Sequence, residues 1–170
     1  RSLVGSEMCI RDRSESGGGL TPSIDVKRLL AYIPDIKSVC QLDGISVMNV
    51  DSTNMNPSLM AAIAQAVADN YESYDGFVVA HGTDTMAYSA AAMTYMLKNL
   101  AKPVVFTGSQ IPIEALYTDA KKNLSDAIRF ACEGINGVYV TFDGMVINGA
   151  HAMKIKTRSS DAFETVNFPV

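Results

Sequence analysis

Length, composition and charge first limit the class of protein. The chain has 170 residues, of which 48% are hydrophobic and 19% charged, a balance typical of a globular protein that buries one core. A net charge of -4 gives no basic field for a nucleic acid, and the three cysteines lack Cys-x-x-Cys spacing. No apolar run is long enough to predict a membrane span. We therefore expect a cytoplasmic protein that binds neither nucleic acid nor membrane.

The first 13 residues differ in pattern from the rest. Residues 1–13 carry three arginines and no sustained apolar period, so we interpret them as a non-native or disordered leader. A natural disordered tail is the alternative. Residues 14–20 are rich in Gly and Ser, which predicts a flexible segment. The ordered domain is expected to span residues 21–170.

From Thr21 onward, helical and strand patterns alternate. The predicted elements, in chain order, are a helix capped by Thr21 and Pro22 and ended by Pro34, strands at 39–42 and 45–50, a helix from Asn56 to Tyr71, a strand at 76–80, a helix from Met86 to Leu97, a strand at 103–107, a helix from Leu124 to Cys132, and strands at 138–141 and 145–147. This alternation predicts βαβ units and an α/β fold with a mostly parallel, twisted sheet flanked by helices.

Polar turns follow three of the predicted strands. They are Asp51-Ser52-Thr53, the segment from His81 to Thr85, and Gly108-Ser109-Gln110. The carboxyl ends of parallel strands meet at one edge of a sheet, and open α/β sheets bind ligands in the crevice at that edge. We therefore expect the three turns to converge on a single polar crevice.

The residue types in these turns suit nucleophilic chemistry. The Thr83 hydroxyl is a poor nucleophile until a base takes its proton, and Lys154 is the candidate base. Asp84 is expected to hold that lysine or to bind the ammonium group of an amino-acid substrate. Backbone N–H groups on the glycine turns are suited to stabilise an oxyanion.

Each of these residues also has a structural interpretation. Residues 83–85 are of types that cap helices, so they could serve only the helix that follows. His81 fits a structural hydrogen-bonding role better than that of a base. Lys154 lies in a basic stretch, where lysines are usually solvated. Spacing alone does not decide between these alternatives.

No cofactor is expected. The sequence has no His, Cys and Asp cluster with metal-ligand spacing and no glycine-rich phosphate loop. Met86, Met93 and Met96 form a stripe at helical spacing, which predicts core packing rather than a metal site.

Several of these motifs together resemble the bacterial L-asparaginases. The stretch from Phe77 to Met86 and the stretch from Lys102 to Gln110 are similar to the family's second signature region. Residues 108–112 and the Asp51-Ser52-Thr53 loop are closest to the type I, cytoplasmic branch. The resemblance runs from about Ser38 to Val170 and is specific, because separated motifs occur in the family's order.

The resemblance implies both an activity and residue roles. It implies hydrolysis of L-asparagine to L-aspartate and ammonia through a threonine acyl-enzyme, without a cofactor, in a homodimer or homotetramer. Thr83 matches the family's second catalytic threonine, Asp84 the aspartate that grips the substrate's α-amino group, and Lys154 the lysine that completes the triad. The substrate-binding residues that it implies are Asp51, Ser52, Thr53, Gly82 and Ser109.

Two parts of the family pattern have no match in the sequence. The family opens with an apolar strand and a Thr-Gly-Gly-Thr-Ile-Gly turn that supplies the primary nucleophile, and nothing like it precedes Ser14. Family members also continue into a smaller C-terminal domain. We therefore expect residues 21–170 to be an incomplete N-terminal asparaginase domain, without its first strand and its second domain, and the chain itself to be inactive.

Two other parent functions stay open. An asparaginase-like subunit of a Glu-tRNA amidotransferase would share the fold and the chemistry. A non-catalytic amino-acid sensor would keep Asp84 and Ser52 for ligand binding alone.

Overall fold

A computed structural model describes the backbone at residues 2–7, 11–13, 20–22 and 26–170, and the side chains of residues 29–36 and 38–170. The strands are β1 (Ser2–Glu7), β2 (Arg11–Arg13), β3 (Leu20–Pro22), β4 (Leu42–Met48), β5 (Gly76–Ala80), β6 (Pro103–Thr107), β7 (Gly137–Phe142), β8 (Met145–Asn148), β9 (Ala152–Lys154) and β10 (Phe163–Thr165). The α-helices are α1 (Val26–Ala31), α2 (Pro57–Asn70), α3 (Met86–Met96) and α4 (Ala120–Cys132), and short 3-10 helices cover Pro34–Ser38, Ser52–Asn54 and Tyr71–Ser73.

Six strands form the main sheet, in the order β4-β1-β5-β6-β7-β8. The first five are parallel, and β8 runs antiparallel to β7. The parallel strands therefore lie in the chain order second, first, third, fourth and fifth, which is the doubly wound order of flavodoxin-like folds. This architecture confirms the predicted α/β class with a mostly parallel sheet. None of the described helices is long and apolar enough to cross a membrane.

The core occupies both faces of the sheet. Strands β5 and β6 are buried along their whole length, and their side chains alternate between the faces. Val78 and Val105 pack with α1 and α4 on one face. Phe77, Val79 and Phe106 pack with α2 and α3 on the other. Apart from Thr107, whose hydroxyl donates to the Thr141 carbonyl at 2.9 Å, the central strands are thus apolar on both faces, and most polar side chains lie in the turns at their ends.

Residues 2–7 lie in the middle of the sheet. As β1 they pair in parallel with β4 on one side and with β5 on the other. The sequence predicted no strand in this segment, and the structure places one there. That the domain lacks its native first strand stays a prediction. The apolar pattern of the segment is weak, but two neighbouring strands offer ladder partners on both sides, and backbone pairing does not depend on that pattern. A non-native origin of residues 1–13 stays a prediction.

Several local predictions also differ from the structure. The predicted cap at Thr21 and Pro22 lies in β3 instead, and α1 begins later. One strand, Leu42–Met48, replaces the two predicted at 39–42 and 45–50. Met86 and Met93 are fully buried as predicted, but Met96, at the end of α3, is 44% exposed. The flexible segment predicted at 14–20 lies outside the described residues, apart from the first residue of β3.

A proline in β1 tests its place in the sheet. Val4 is paired with Gly44 of β4 and with Val78 of β5, so Val4→Pro removes a backbone N–H between two partner strands. We expect the free energy of unfolding, measured by urea titration, to fall by about 3 kcal/mol. Val4→Ile keeps the N–H and serves as the control. Equal midpoints for both variants would place the segment outside the sheet.

Candidate active site

The site begins where the turns after β5 and β6 touch. The His81 amide donates to the Thr107 carbonyl at 2.7 Å, which extends the β5–β6 pairing one residue beyond β5. A Cβ atom at Gly108 would lie only 2.2 Å from the His81 carbonyl oxygen, so a side chain does not fit there. The glycine therefore permits the close approach that sets residues 82–85 beside residues 109–110.

Lys154 contacts both of the predicted catalytic residues of the β5 turn. Its Nζ atom donates to Thr83 Oγ1 at 2.7 Å and to Asp84 Oδ1 at 2.6 Å. The lysine side chain is 13% exposed and that of Asp84 is 37% exposed, while Thr83 is buried. The solvated interpretation of Lys154 is therefore wrong. The structure brings these three residues together, and their catalytic roles stay predictions.

The β9–β10 hairpin carries Lys154 to this position. Phe163 of β10 is the cross-strand partner of Lys154. Its ring is fully buried and contacts the ring of Phe142 in β7, with 4.9 Å between centroids. The Ile155 amide donates to the Ala162 carbonyl at 2.8 Å and continues the pairing past β9. Burial of one phenylalanine thus anchors the strand that presents the lysine.

A polar cavity of about 60 Å³ lies beside the Thr83 hydroxyl. It is lined by Ser52, Gly82, Thr83, Asp84, Ser109, Gln110, Lys154 and Thr157. This volume suits a small polar group such as a carboxylate or a carboxamide. Within the described part of the chain, no three His, Cys, Asp or Glu side chains come together in a way that could hold a metal ion.

The turn after β4 contributes Ser52 to the cavity, whereas Asp51 and Thr53 do not line it. The Asp51 carboxylate accepts from the Thr53 amide and hydroxyl, both at 2.9 Å, and so caps the short helix that begins at Ser52. Thr85 Oγ1 donates to the Ser52 carbonyl at 2.7 Å and ties this turn to the β5 turn. Substrate contacts for Asp51 and Thr53 stay predictions.

The helix-capping interpretation of residues 83–85 has little support in the hydrogen bonds. Thr85 occupies the N-cap position of α3, yet its side chain makes no capping bond and bonds to Ser52 instead. Thr83 and Asp84 bond to Lys154. The hydroxyl and carboxylate groups of this turn are therefore directed to other turns and to the hairpin.

Two side chains at the start of α4 hold the turn after β6. Asp119 Oδ2 accepts from the Gln110 amide at 2.9 Å, and its Oδ1 accepts from the Ile111 amide at 3.0 Å. The Asn123 side chain is buried and donates to the Gly108 carbonyl at 3.0 Å and to Asp119 Oδ2 at 3.2 Å. The position of Ser109 and Gln110 is thus fixed by a polar network behind the cavity.

Sequence reasoning did not assign a role to Gln110 or to Thr157. Gln110 directly follows Ser109 in a predicted polar turn, so its place in that turn was the available signal. Thr157 reaches the cavity because the chain folds back after β9, and no sequence pattern indicates that path. Both residues belong to the cavity wall.

His81 is a buried neutral group rather than a base. Only 1% of the residue is exposed, and this burial lowers the pKa of the imidazole to about 4, against the upward effect of its bond to Gly82. Nδ1 lies 2.7 Å from the Gly82 carbonyl oxygen, which can only accept, so Nδ1 carries the proton. This geometry agrees with the structural role favoured from the sequence.

These observations define an α/β domain with a Thr, Lys and Asp cluster at the carboxyl edge of a parallel sheet. The family model described as Asparaginase, N-terminal matches residues 9–170, and the chain belongs to this family.

Individual relatives agree with this assignment. The chain is 39% identical to an L-asparaginase of Thermococcus kodakarensis over 123 residues, which cover 72% of the chain and 38% of that protein. It is 43% identical to L-asparaginase 1 of Escherichia coli K12 over 121 residues, 71% of the chain and 36% of that protein. A glutamyl-tRNA(Gln) amidotransferase subunit of Pyrococcus abyssi is 34% identical over 175 residues, covering 98% of the chain and 40% of that protein.

A solved structure supports the same fold. The thermostable L-asparaginase of Thermococcus kodakarensis superimposes with a TM-score of 0.86 at 30% identity, covering 99% of this chain and 51% of that one. The chain thus spans about half of that structure and about two fifths of the length of the curated relatives it matches.

The close approach at Gly108 can be tested by adding one methyl group. Gly108→Ala forces apart the His81 carbonyl and the β6 turn, so we expect a loss of about 3 kcal/mol in unfolding free energy. Gly134→Ala is the control, because Gly134 has φ +70° but nothing within 4 Å of its added Cβ. In that variant the added methyl group causes backbone strain alone, so the free energy of unfolding should fall by roughly 1 kcal/mol. Equal losses by chemical denaturation would contradict the close approach.

His81 should make the stability of the domain depend on pH. Its folded pKa of about 4 lies below the reference value of 6.5, so the unfolded chain binds the extra proton between these values. The contribution is fully present above pH 6.5 and is lost as the pH falls towards 4. Relative to His81→Gln, we expect the wild type to lose about 3 kcal/mol across this window in urea titrations at stepped pH. A constant difference between the two proteins would contradict the buried neutral imidazole.

Proposed function

We propose that the whole protein hydrolyses L-asparagine to L-aspartate and ammonia. The observation that carries this proposal is the position of Lys154 Nζ within hydrogen-bond reach of both Thr83 Oγ1 and Asp84 Oδ1. A lysine beside a threonine hydroxyl is an arrangement that can activate oxygen for attack on an amide. Membership of the asparaginase family supports the same reaction class.

In the proposed reaction, Lys154 acts as the base. In its neutral form the amine takes the Thr83 hydroxyl proton, and the Thr83 oxygen in turn takes a proton from the attacking water. That water hydrolyses the ester left after the substrate's amide C–N bond has broken and ammonia has departed. The family resemblance assigns the ester to a separate, primary threonine. As the ester C–O bond breaks, Lys154 returns its proton through Thr83 to the leaving oxygen of the primary threonine. The new carboxyl group of aspartate loses its own proton to solvent, and aspartate leaves.

The cavity residues are proposed to hold the ends of the substrate. The Asp84 carboxylate is partly exposed beside the cavity and is proposed to bind the α-ammonium group of the substrate. The hydroxyls of Ser52 and Ser109 are buried in the wall and suit hydrogen bonds to the α-carboxylate and to the side-chain amide. A cavity of about 60 Å³ accommodates several water-sized groups and is therefore proposed to bind the polar ends of a small amino acid.

We further propose that the 170-residue chain by itself turns over little or no asparagine. Its sequence contains no Thr-Gly-Gly-Thr stretch to supply the primary threonine. Loss of a nucleophile that acts within a triad removes most of the rate enhancement, on the order of a millionfold in a measured case. By similarity to the probable cytoplasmic L-asparaginase of Campylobacter jejuni, we propose a cytoplasmic location. The family resemblance implies a homo-oligomer, which we also propose.

A second candidate function is supported by an observation of its own. The glutamyl-tRNA(Gln) amidotransferase subunit of Pyrococcus abyssi aligns with 98% of the chain, a longer stretch than the 72% for the asparaginase of Thermococcus kodakarensis. In that case the same amide chemistry would supply ammonia to another subunit of the enzyme. Asparagine turnover by the completed protein on its own favours the asparaginase.

Substitution of Lys154 tests the proposed hydrolysis of L-asparagine. The chain is completed by exchanging residues 1–13 for an apolar strand with a Thr-Gly-Gly-Thr-Ile-Gly turn and by adding a C-terminal asparaginase domain. Ammonia release from L-asparagine is measured with and without completion. We expect turnover only after completion, and Lys154→Met to lower kcat about a thousandfold while calorimetry still detects asparagine binding. Lys156→Met removes a neighbouring lysine that pairs with Asp161 instead, so kcat should stay unchanged.

Three other outcomes would contradict parts of the proposal. Turnover by the 170-residue chain alone would overturn its proposed inactivity. Binding of asparagine without turnover in the completed protein would point to a sensor. Equal losses in the Lys154 and Lys156 variants would remove the lysine from the reaction.

A further inference from the structure

Gln110 connects the Thr83 hydroxyl to the segment that follows Lys154. Its Oε1 atom lies 3.3 Å from Thr83 Oγ1, and its Nε2 atom lies 3.3 Å from the Lys156 carbonyl oxygen. The residue is half-buried in the cavity wall. One carboxamide therefore bridges the β5 turn and the hairpin that presents the lysine.

The two partners fix the direction of the carboxamide. The Lys156 carbonyl only accepts, so the NH2 group of Gln110 has to face it. Reversing the amide would set two carbonyl oxygens against each other and would direct the NH2 group at Thr83 Oγ1, which already accepts from Lys154. Oε1 thus faces Thr83 as an acceptor.

This orientation determines where the Thr83 proton points. A hydroxyl has one donor and two acceptor positions. Lys154 Nζ donates to one of the two acceptor positions of Thr83 Oγ1, and Gln110 Oε1 accepts the hydrogen bond that the Thr83 hydroxyl donates. Among the described hydrogen bonds, one lone pair of Oγ1 is left for a group in the cavity.

The main chain of Gln110 is held independently of its side chain. Its amide and that of Ile111 both donate to the Asp119 carboxylate, at 2.9 and 3.0 Å. Asn123 supports Asp119 and the Gly108 carbonyl from a buried position. The carboxamide is thus mounted on a turn that cannot drift away from Thr83 without breaking this network.

We propose that Gln110 is a positioning residue, whose carboxamide fixes the Thr83 side chain so that Oγ1 stays beside Lys154 Nζ with one lone pair towards the cavity. The hydroxyl proton passes to Lys154 only when the lysine is neutral and acts as the base. Its effect on turnover rests on the proposed function, whereas the hydrogen-bond arrangement does not. Gln110 acts through Thr83 and has no assigned contact with substrate. Removing it should lower kcat rather than raise KM, because the threonine is misdirected while the binding groups remain.

The arrangement is tested first by NMR on the 170-residue chain. Thr83→Val removes the hydroxyl at nearly constant volume, and Thr83→Ser keeps it. We expect the Gln110 side-chain NH2 protons to exchange about fivefold faster in the valine variant, because the carboxamide loses one of its two anchors. The serine variant should stay within about twofold of the wild type. Equal exchange rates in the two variants overturn the bridge, and circular dichroism verifies that each variant is folded.

The effect on turnover is tested on the completed protein. Gln110→Met should lower kcat about tenfold with KM nearly constant, and should have no further effect in a Thr83→Ala background. Gln110→Glu keeps a hydrogen-bond partner that fixes the Thr83 side chain and should recover part of kcat. A loss that appears in KM, or that is equal in both backgrounds, overturns the positioning role. Absence of turnover in every variant would sink the proposed function, while the exchange rates would still decide whether the bridge exists.

Discussion

The site depends on the contact between the backbones of two neighbouring turns. The His81 carbonyl sits so close to Gly108 that no side chain fits between them, and the His81 amide bonds to β6. This approach continues the sheet beyond the ends of its strands. It also places the polar atoms of two turns on one rigid edge of the sheet. The positions of these atoms are therefore fixed by the hydrogen bonds between strands rather than by loop conformation.

Each polar group at this edge is supported from behind. Asp119 and Asn123, at the start of α4, hold the β6 turn, and buried Phe163 anchors the hairpin that carries Lys154. The edge also lies next to the point where the strand order reverses, between β1 and β5, which is where doubly wound sheets bind ligands. The reversal in strand order, the supporting residues and the polar cluster thus all lie at the same end of the central strands.

The sequence was most informative where burial is greatest. The bounds predicted for β5 and β6 agree with the structure, because a parallel strand buried on both faces reads as a short apolar run ended by a turn. Thr83, Asp84 and Lys154 were singled out from residue chemistry and from the family resemblance, and the structure brings them together.

Other features are set by contacts that local patterns do not record. Residues 2–7 have a weak apolar pattern, and their strand is defined by neighbours more than 30 positions away. The link from Gln110 to Thr83 spans 27 positions and depends on the close approach of two turns. Such pairings follow from the assembled sheet, so propensity and periodicity could not reveal them.

The separation of Thr83 and Lys154 by 71 positions has a consequence for partial opening of the domain. The threonine lies in the turn that follows the central strand β5, whereas the lysine belongs to a three-residue strand outside the main sheet. Short peripheral elements open at lower cost than buried central strands. Detachment of this hairpin would therefore separate the Lys154 amine from the Thr83 hydroxyl while the sheet stays folded, and this contact would be lost at a lower temperature than the fold.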